Sequence, residues 1–148
     1  MKLVAFILFL VGCIGVNAET PSPATDWKTL MGYKARGTEA FMDRNSFIKS
    51  VDDKGNEYTN GVILITYDDP VNVPVDDKPV PIRSIAKHII VQCSSARLMQ
   101  VADFYFSVEK PTRADKPVAG REYPADPAAV IQLGKGSIFY MTFCPTYI

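Results

Sequence analysis

SIAKHIIVQC, residues 84–93, is followed after a tight Ser94-Ser95 connection by RLMQVADFYFSV, residues 97–108. Both segments are rich in β-branched and aromatic residues, the composition that suits a pleated, half-buried surface. A connection this short forces the second segment back along the first, so the pair is predicted as an antiparallel hairpin. With a period of two, Leu98, Gln100, Ala102, Phe104, Phe106 and Val108 share one face of the second strand. Met99, Val101, Asp103 and Tyr105 share the other.

Upstream, GVILITY (61–67) is apolar on both faces, the signature of a central strand. Asp26–Leu30 alternates and reads as a first short strand, Thr38–Met42 as a second and Phe47–Val51 as a third. Asp43-Arg44-Asn45-Ser46 reads as a turn, because Asp and Asn side chains bond nearby backbone. Asp52–Asn56 is another turn, with Gly55 available for positive φ. Asp68–Pro81 holds four prolines and four aspartates and is predicted as an exposed loop. Glu109–Pro127, rich in proline and charge, is a second loop, and Ala128–Leu133 a short edge strand. Gly136-Ser137 opens the run Ile138–Cys144, which is apolar throughout. Periodicity leaves that run open between a strand and a short helix capped by Ser137. Short connections between consecutive strands favour a meander.

The N-terminus carries a different signal. MKLVAFILFLVGCIGVNA (1–18) has a basic start, an apolar run from Leu3 to Val16, and the small residues Val16 and Ala18 flanking Asn17. These are the three parts of a secretory signal peptide. The run is too short to span a bilayer, which takes about 20 apolar residues, so no transmembrane helix is expected in the mature chain. Two processing routes stay open: cleavage after Ala18, or lipidation at Cys13, since Leu10-Val11-Gly12-Cys13 resembles a bacterial lipobox. Residues 19–25 (ETPSPAT) read as a flexible lead-in and 26–148 as one domain.

Setting Cys13 aside leaves Cys93 and Cys144. An even pair in an exported chain reads as a disulfide. The rival reading, a metal site, lacks CxxC or HxxxH spacing and has a single histidine, His88. Charge is balanced, with 16 basic and 16 acidic residues. That excludes the basic stripe of a nucleic-acid binder and any strong attraction to a membrane surface.

Several stretches resemble the bacterial surface-adhesin protein E family, over about Asp26 to Cys144. They are Phe41–Phe47, Arg83-Ser84 with Cys93 ten residues on, Leu98–Val101 followed by Asp103-Phe104-Tyr105, and Gly136-Ser137 before an apolar segment ending in Cys144. The resemblance implies an α+β, mainly β fold: an antiparallel sheet of about six strands with a short C-terminal helix pinned by the disulfide. It implies a non-enzymatic binding domain in the periplasm or on the surface of a Gram-negative bacterium, contacting a protein or small ligand. Haem enters only through that family. Adhesin-type sequences carry basic residues just before Arg83, whereas this chain has Val80, Pro81 and Ile82. The alternative is therefore a periplasmic accessory or structural protein with no host ligand.

The candidate binding residues are Arg83, Lys87, Arg97 and His88, the first three as a basic cluster across the hairpin. His88 lies mid-strand with no evident nucleophile beside it, so no catalytic or metal role is assigned. Asp103, inside an apolar strand, is expected to pair with Lys87 or Arg97. Asp68, Asp69, Asp76 and Asp77 lack the regular spacing of a calcium loop. Trp27, Tyr33, Tyr58, Tyr67 and Tyr105 add aromatic surface suited to packing or to a binding face.

Overall fold

The computed structural model describes residues 27–35, 37–112, 114–124 and 130–145. The leader, Cys13 and the lead-in lie outside them. Seven strands and one helix follow in chain order: β1 Lys28–Ala35, β2 Thr38–Val51, β3 Glu57–Val75, β4 Lys78–Gln92, β5 Arg97–Phe106, β6 Ala119–Glu122, β7 Ile131–Gln132 and α1 Ile138–Phe143. The first six form an antiparallel meander in sequence order, and β7 pairs with β5. The GVILITY segment lies in β3, flanked on both sides as its two-faced apolarity requires. The β4–β5 hairpin pairs from Ser84↔Phe106 to Gln92↔Arg97.

The Asp68–Pro81 loop expected from its prolines is instead a paired ribbon, with Val71↔Ile82, Asn72↔Pro81, Val73↔Val80, Pro74↔Pro79 and Val75↔Lys78. Its turn residues, Asp76 and Asp77, have φ of 48° and 61°. Positive φ at both central residues is the geometry that matches strand twist, and Asp tolerates it. Counting back from this two-residue turn, Val75↔Lys78 and Val73↔Val80 are the hydrogen-bonded pairs. Pro74, Pro79 and Pro81 occupy the non-bonded ones, where a missing N–H costs the ladder nothing.

Asp43–Ser46 is also no chain reversal. β2 runs through it, with a register shift against β3 between Asp43 and Ile48. The turn chemistry acts within this bulge. Asn45 N–H donates to Asp43 Oδ1 at 3.0 Å, Ser46 Oγ donates to Asp43 O at 2.7 Å, and Val62 N–H, on the residue registered against Asp43, donates to Ser46 Oγ at 2.8 Å. A smaller shift in β5 lets Ile89 pair with Gln100 while His88 pairs with Ala102. Val101 is the extra residue. The strict alternation expected along β5 therefore breaks there: Leu98 faces the same side as Asp103, and Met99 the same side as Phe104.

Two apolar clusters cover the sheet's faces. On one, Ile63, Ile89, Val91, Ala96 and Leu98 pack beneath Tyr140 and Phe143 of α1 and the Cys93–Cys144 disulfide. On the other, Phe41, Val62, Leu64, Ala86 and Phe106 pack with Trp27 and Phe104. Trp27 Nε1 donates to Pro111 O at 2.9 Å, and Lys110 Nζ lies 4.3 Å above the Phe41 ring, so the 109–111 segment closes that cluster.

At six residues α1 is too short to persist alone. Ser137 accepts from Tyr140 N–H, Tyr140 OH donates to Cys93 O at 3.0 Å, and the disulfide joins the helix end to β4. Gly61 makes room for this packing. A Cβ there would lie 2.6 Å from the Phe47 ring and 2.8 Å from Phe143. Gly61→Ala is expected to cost about 1–3 kcal/mol through overpacking, read from the urea midpoint. A midpoint equal to the wild type would show that the Phe47–Phe143 pair is not held against Gly61.

Candidate functional site

Asp103 is 3% exposed and faces the helix side of the sheet opposite Lys87. Lys87 Nζ lies 2.9 Å from its Oδ2, Tyr123 OH donates to the same oxygen at 2.8 Å, and Gln100 Nε2 donates to Oδ1 at 2.8 Å. The expected pairing with Lys87 is present, and three donors satisfy both carboxylate oxygens. Tyr123 follows β6, so the network fastens that short strand to β5. Burial and the Asp103 carboxylate push the Tyr123 phenol up to about 12. The unfolded phenol ionises near 10, below the folded one, so its stabilising contribution is present below about pH 10. That contribution is lost as pH rises from about 10 to about 12. Tyr123→Phe is expected to flatten this alkaline loss of stability. An unchanged slope in that window would place the ionising group elsewhere.

The expected basic residues do not gather. Arg83 sits where β4 leaves the ribbon, its Nη2 donating to Asp68 O at 2.8 Å and lying 3.6 Å from Glu109 Oε2. Lys87 is engaged with Asp103. Arg97 is opposite Gln92 and Gln132, about 30 Å from Arg83 along the strand at ~3.3 Å per residue. His88 faces the side away from α1, between Val62 and Ala102, and burial lowers its pKa. Among the described residues no three His, Cys, Asp or Glu side chains converge as metal ligands. No helix among them is long and apolar enough to cross a membrane.

A cleft of about 500 Å³ opens beside the disulfide. Its apolar wall is Val51, Phe143 and the Cys93–Cys144 bond, and its polar wall is Lys49, Glu57, Tyr58 and Thr59. Neither His88 nor Asp103 reaches it. Sequence reading passed over this place because its residues come from β2, β3, α1 and the two cysteines just past β4 and α1, with no motif joining them. The one usable signal was Cys93 itself, next to which the cleft forms. The adjoining turn is rigid: Asp52 accepts from the backbone N–H groups of Lys54 and Asn56 and from the side chains of Asn56 and Tyr58. Those bonds, Asn56 first, hold the Asp52 carboxyl at about 2.

Fold and clamp define a class: a single antiparallel meander whose short C-terminal helix is tied to the central strands by one disulfide. Solved structures of protein E from Haemophilus influenzae share this fold. One has a TM-score of 0.53 at 17% identity, covering 84% of this chain and 91% of its own. A second crystal form gives 0.53 at 16%, with 86% and 94% covered. Protein E from a non-typeable strain gives 0.52 at 16%, with 84% and 82% covered. No family model and no curated protein sequence matches the chain. The expected resemblance thus holds at the level of the fold.

Proposed function

We propose that this chain is an exported, non-enzymatic binding module of the bacterial envelope or surface, acting through contact with a partner protein. The observation that carries the reading is the Cys93–Cys144 bond, which spans 51 residues and clamps α1 over the sheet. A structural disulfide of this kind belongs to an oxidising compartment, in keeping with the signal-peptide pattern of residues 1–18. The shared fold with protein E supports a surface or periplasmic setting. The carboxylate best placed for chemistry, Asp103, is saturated by its three donors and lies outside the cleft.

A second reading, an accessory protein serving other envelope components, is favoured by the ribbon. Val80 and Ile82 pair with Val73 and Val71, and Ile82 is fully buried, so the stretch before Arg83 is strand and core instead of a basic contact surface. Immobilised, oxidised chain of residues 19–148 separates the two. Saturable binding of a purified matrix protein supports the adhesin-type role. Saturable binding of purified envelope proteins alone supports the accessory role. Turnover of a substrate panel with no protein partner of either kind contradicts both.

A further inference from the structure

β2 is paired with β3 along both halves, but on its other side the pairs with β1 stop at Met42. Beyond Asp43 no described strand borders it. The register identifies the backbone groups left over. Asp52 N–H donates to Asn56 O, and Cys93 N–H donates to Glu57 O across β4. Val51↔Glu57 is therefore a non-hydrogen-bonded pair between β2 and β3, and by alternation so is Lys49↔Thr59. The N–H and C=O groups of Lys49 and Val51 point away from β3 into solvent.

Two further observations fall on the same stretch. Ile48 and Val51 are the two most exposed large apolar residues described, at 64% and 65%. They project from opposite faces of this edge. The cleft beside the disulfide opens next to it, with Lys49 and Val51 in its wall. Along the ribbon, by contrast, Pro74, Pro79 and Pro81 withhold donors from the open edges. Phe47–Val51 carries no proline and one charge, Lys49.

We propose that Phe47–Val51 is a docking edge for an extended peptide segment of a partner protein, which adds as a strand beside β2. The proposal rests on the reading of this chain as a binding module and names where and how it binds. An added strand satisfies the outward groups of Lys49 and Val51 over about 16 Å. Its side chains on one face cover Ile48. On the other face an apolar side chain enters the cleft against Val51, Phe143 and the disulfide. Main-chain bonds supply affinity and the cleft supplies selectivity.

The test selects linear peptides from a displayed library on the oxidised chain of residues 19–148, then titrates synthetic copies by fluorescence anisotropy. Selected peptides are expected to alternate apolar and polar residues. The amides of Lys49 and Val51 exchange freely in the unbound protein and become protected in the complex. Lys49→Pro removes an outward donor without touching the β3 ladder and is expected to weaken binding about tenfold. Val51→Pro repeats the test at the second donor. Lys49→Thr, which keeps the N–H, stays within about threefold. Near-UV circular dichroism identifies the variants that keep the fold. Equal binding by either folded proline variant, protection confined to other strands, or failure to select any peptide overturns the proposal. Protection of both amides in the unbound chain also overturns it, because the edge is then filled by the chain's own lead-in or a second copy. A purified partner protein that binds Lys49→Pro and Val51→Pro as tightly as wild type sinks the edge and leaves the binding module standing.

Discussion

Cys93→Ala with Cys144→Ala is expected to lower the unfolding free energy by about 4 kcal/mol, the loop-closure value for a crosslink across roughly 50 residues. The 51-residue separation sets that figure. Small domains hold about 5–15 kcal/mol in total, so the loss removes a large share. It also falls unevenly. α1 is six residues long and depends on tertiary packing, so freeing Cys144 loosens Tyr140 and Phe143. Ile63, Ile89, Val91 and Leu98 then gain access to water. Urea unfolding gives the magnitude, and amide exchange at Ile138–Phe143 gives the location. Reduced wild-type protein should behave as the double variant does. Coincident unfolding curves for oxidised and reduced protein would show that the crosslink stabilises nothing.

Asp103→Ala is expected to cost about 3 kcal/mol, the low end for breaking a buried ion pair. It removes the acceptor from Lys87, Gln100 and Tyr123 together. The Lys87 side chain is 27% exposed, so its ammonium recovers some hydration, which holds the cost down. Asp103→Leu combined with Lys87→Met should cost less than Asp103→Ala alone, because no charge is then left without its partner. A double-mutant cycle between the two positions measures the coupling. A single-variant cost below about 0.5 kcal/mol, the range of ordinary surface substitutions, would mean that water replaces the carboxylate without loss. β6 should loosen as well, since Tyr123 loses the bond that ties it down.

The sequence made the centre of this fold readable because local pattern and tertiary role agree there. GVILITY is apolar on both sides and lies between two strands. The 84–93 and 97–108 segments reverse at a short serine connection and pair as expected. Ser137 caps the helix that the protein E resemblance implied, and Lys87 meets Asp103 because the register sets them opposite. The misreadings share a cause: residue type was taken as topology when position decides. Proline forbids a strand only where its N–H is needed, and Pro74, Pro79 and Pro81 all sit where it is not. Asp and Ser fold back on the backbone in a bulge as readily as in a reversal, so Asp43–Ser46 kinks a continuous β2. The Val101 bulge changes which side chains share a face, and no composition signal marks it.

The site was less legible than the fold. Arg83, Lys87 and Arg97 group by residue type, whereas register separates them: Arg97 opens β5 opposite Gln92 beside the turn, and Arg83 lies nine residues back along β4. The cleft and the open β2 edge depend on where β1 stops and how α1 is clamped, and both are long-range facts.

The account is tested most directly by the intact mass of protein isolated from its native envelope, taken with and without thiol alkylation under denaturing conditions. It predicts a chain beginning at Glu19, or at a lipid-modified Cys13, that lacks the two thiol hydrogens of Cys93 and Cys144 and takes up no alkylating label at either. A full-length chain retaining Met1, with both cysteines labelled, would contradict export and the clamp on which the binding module depends.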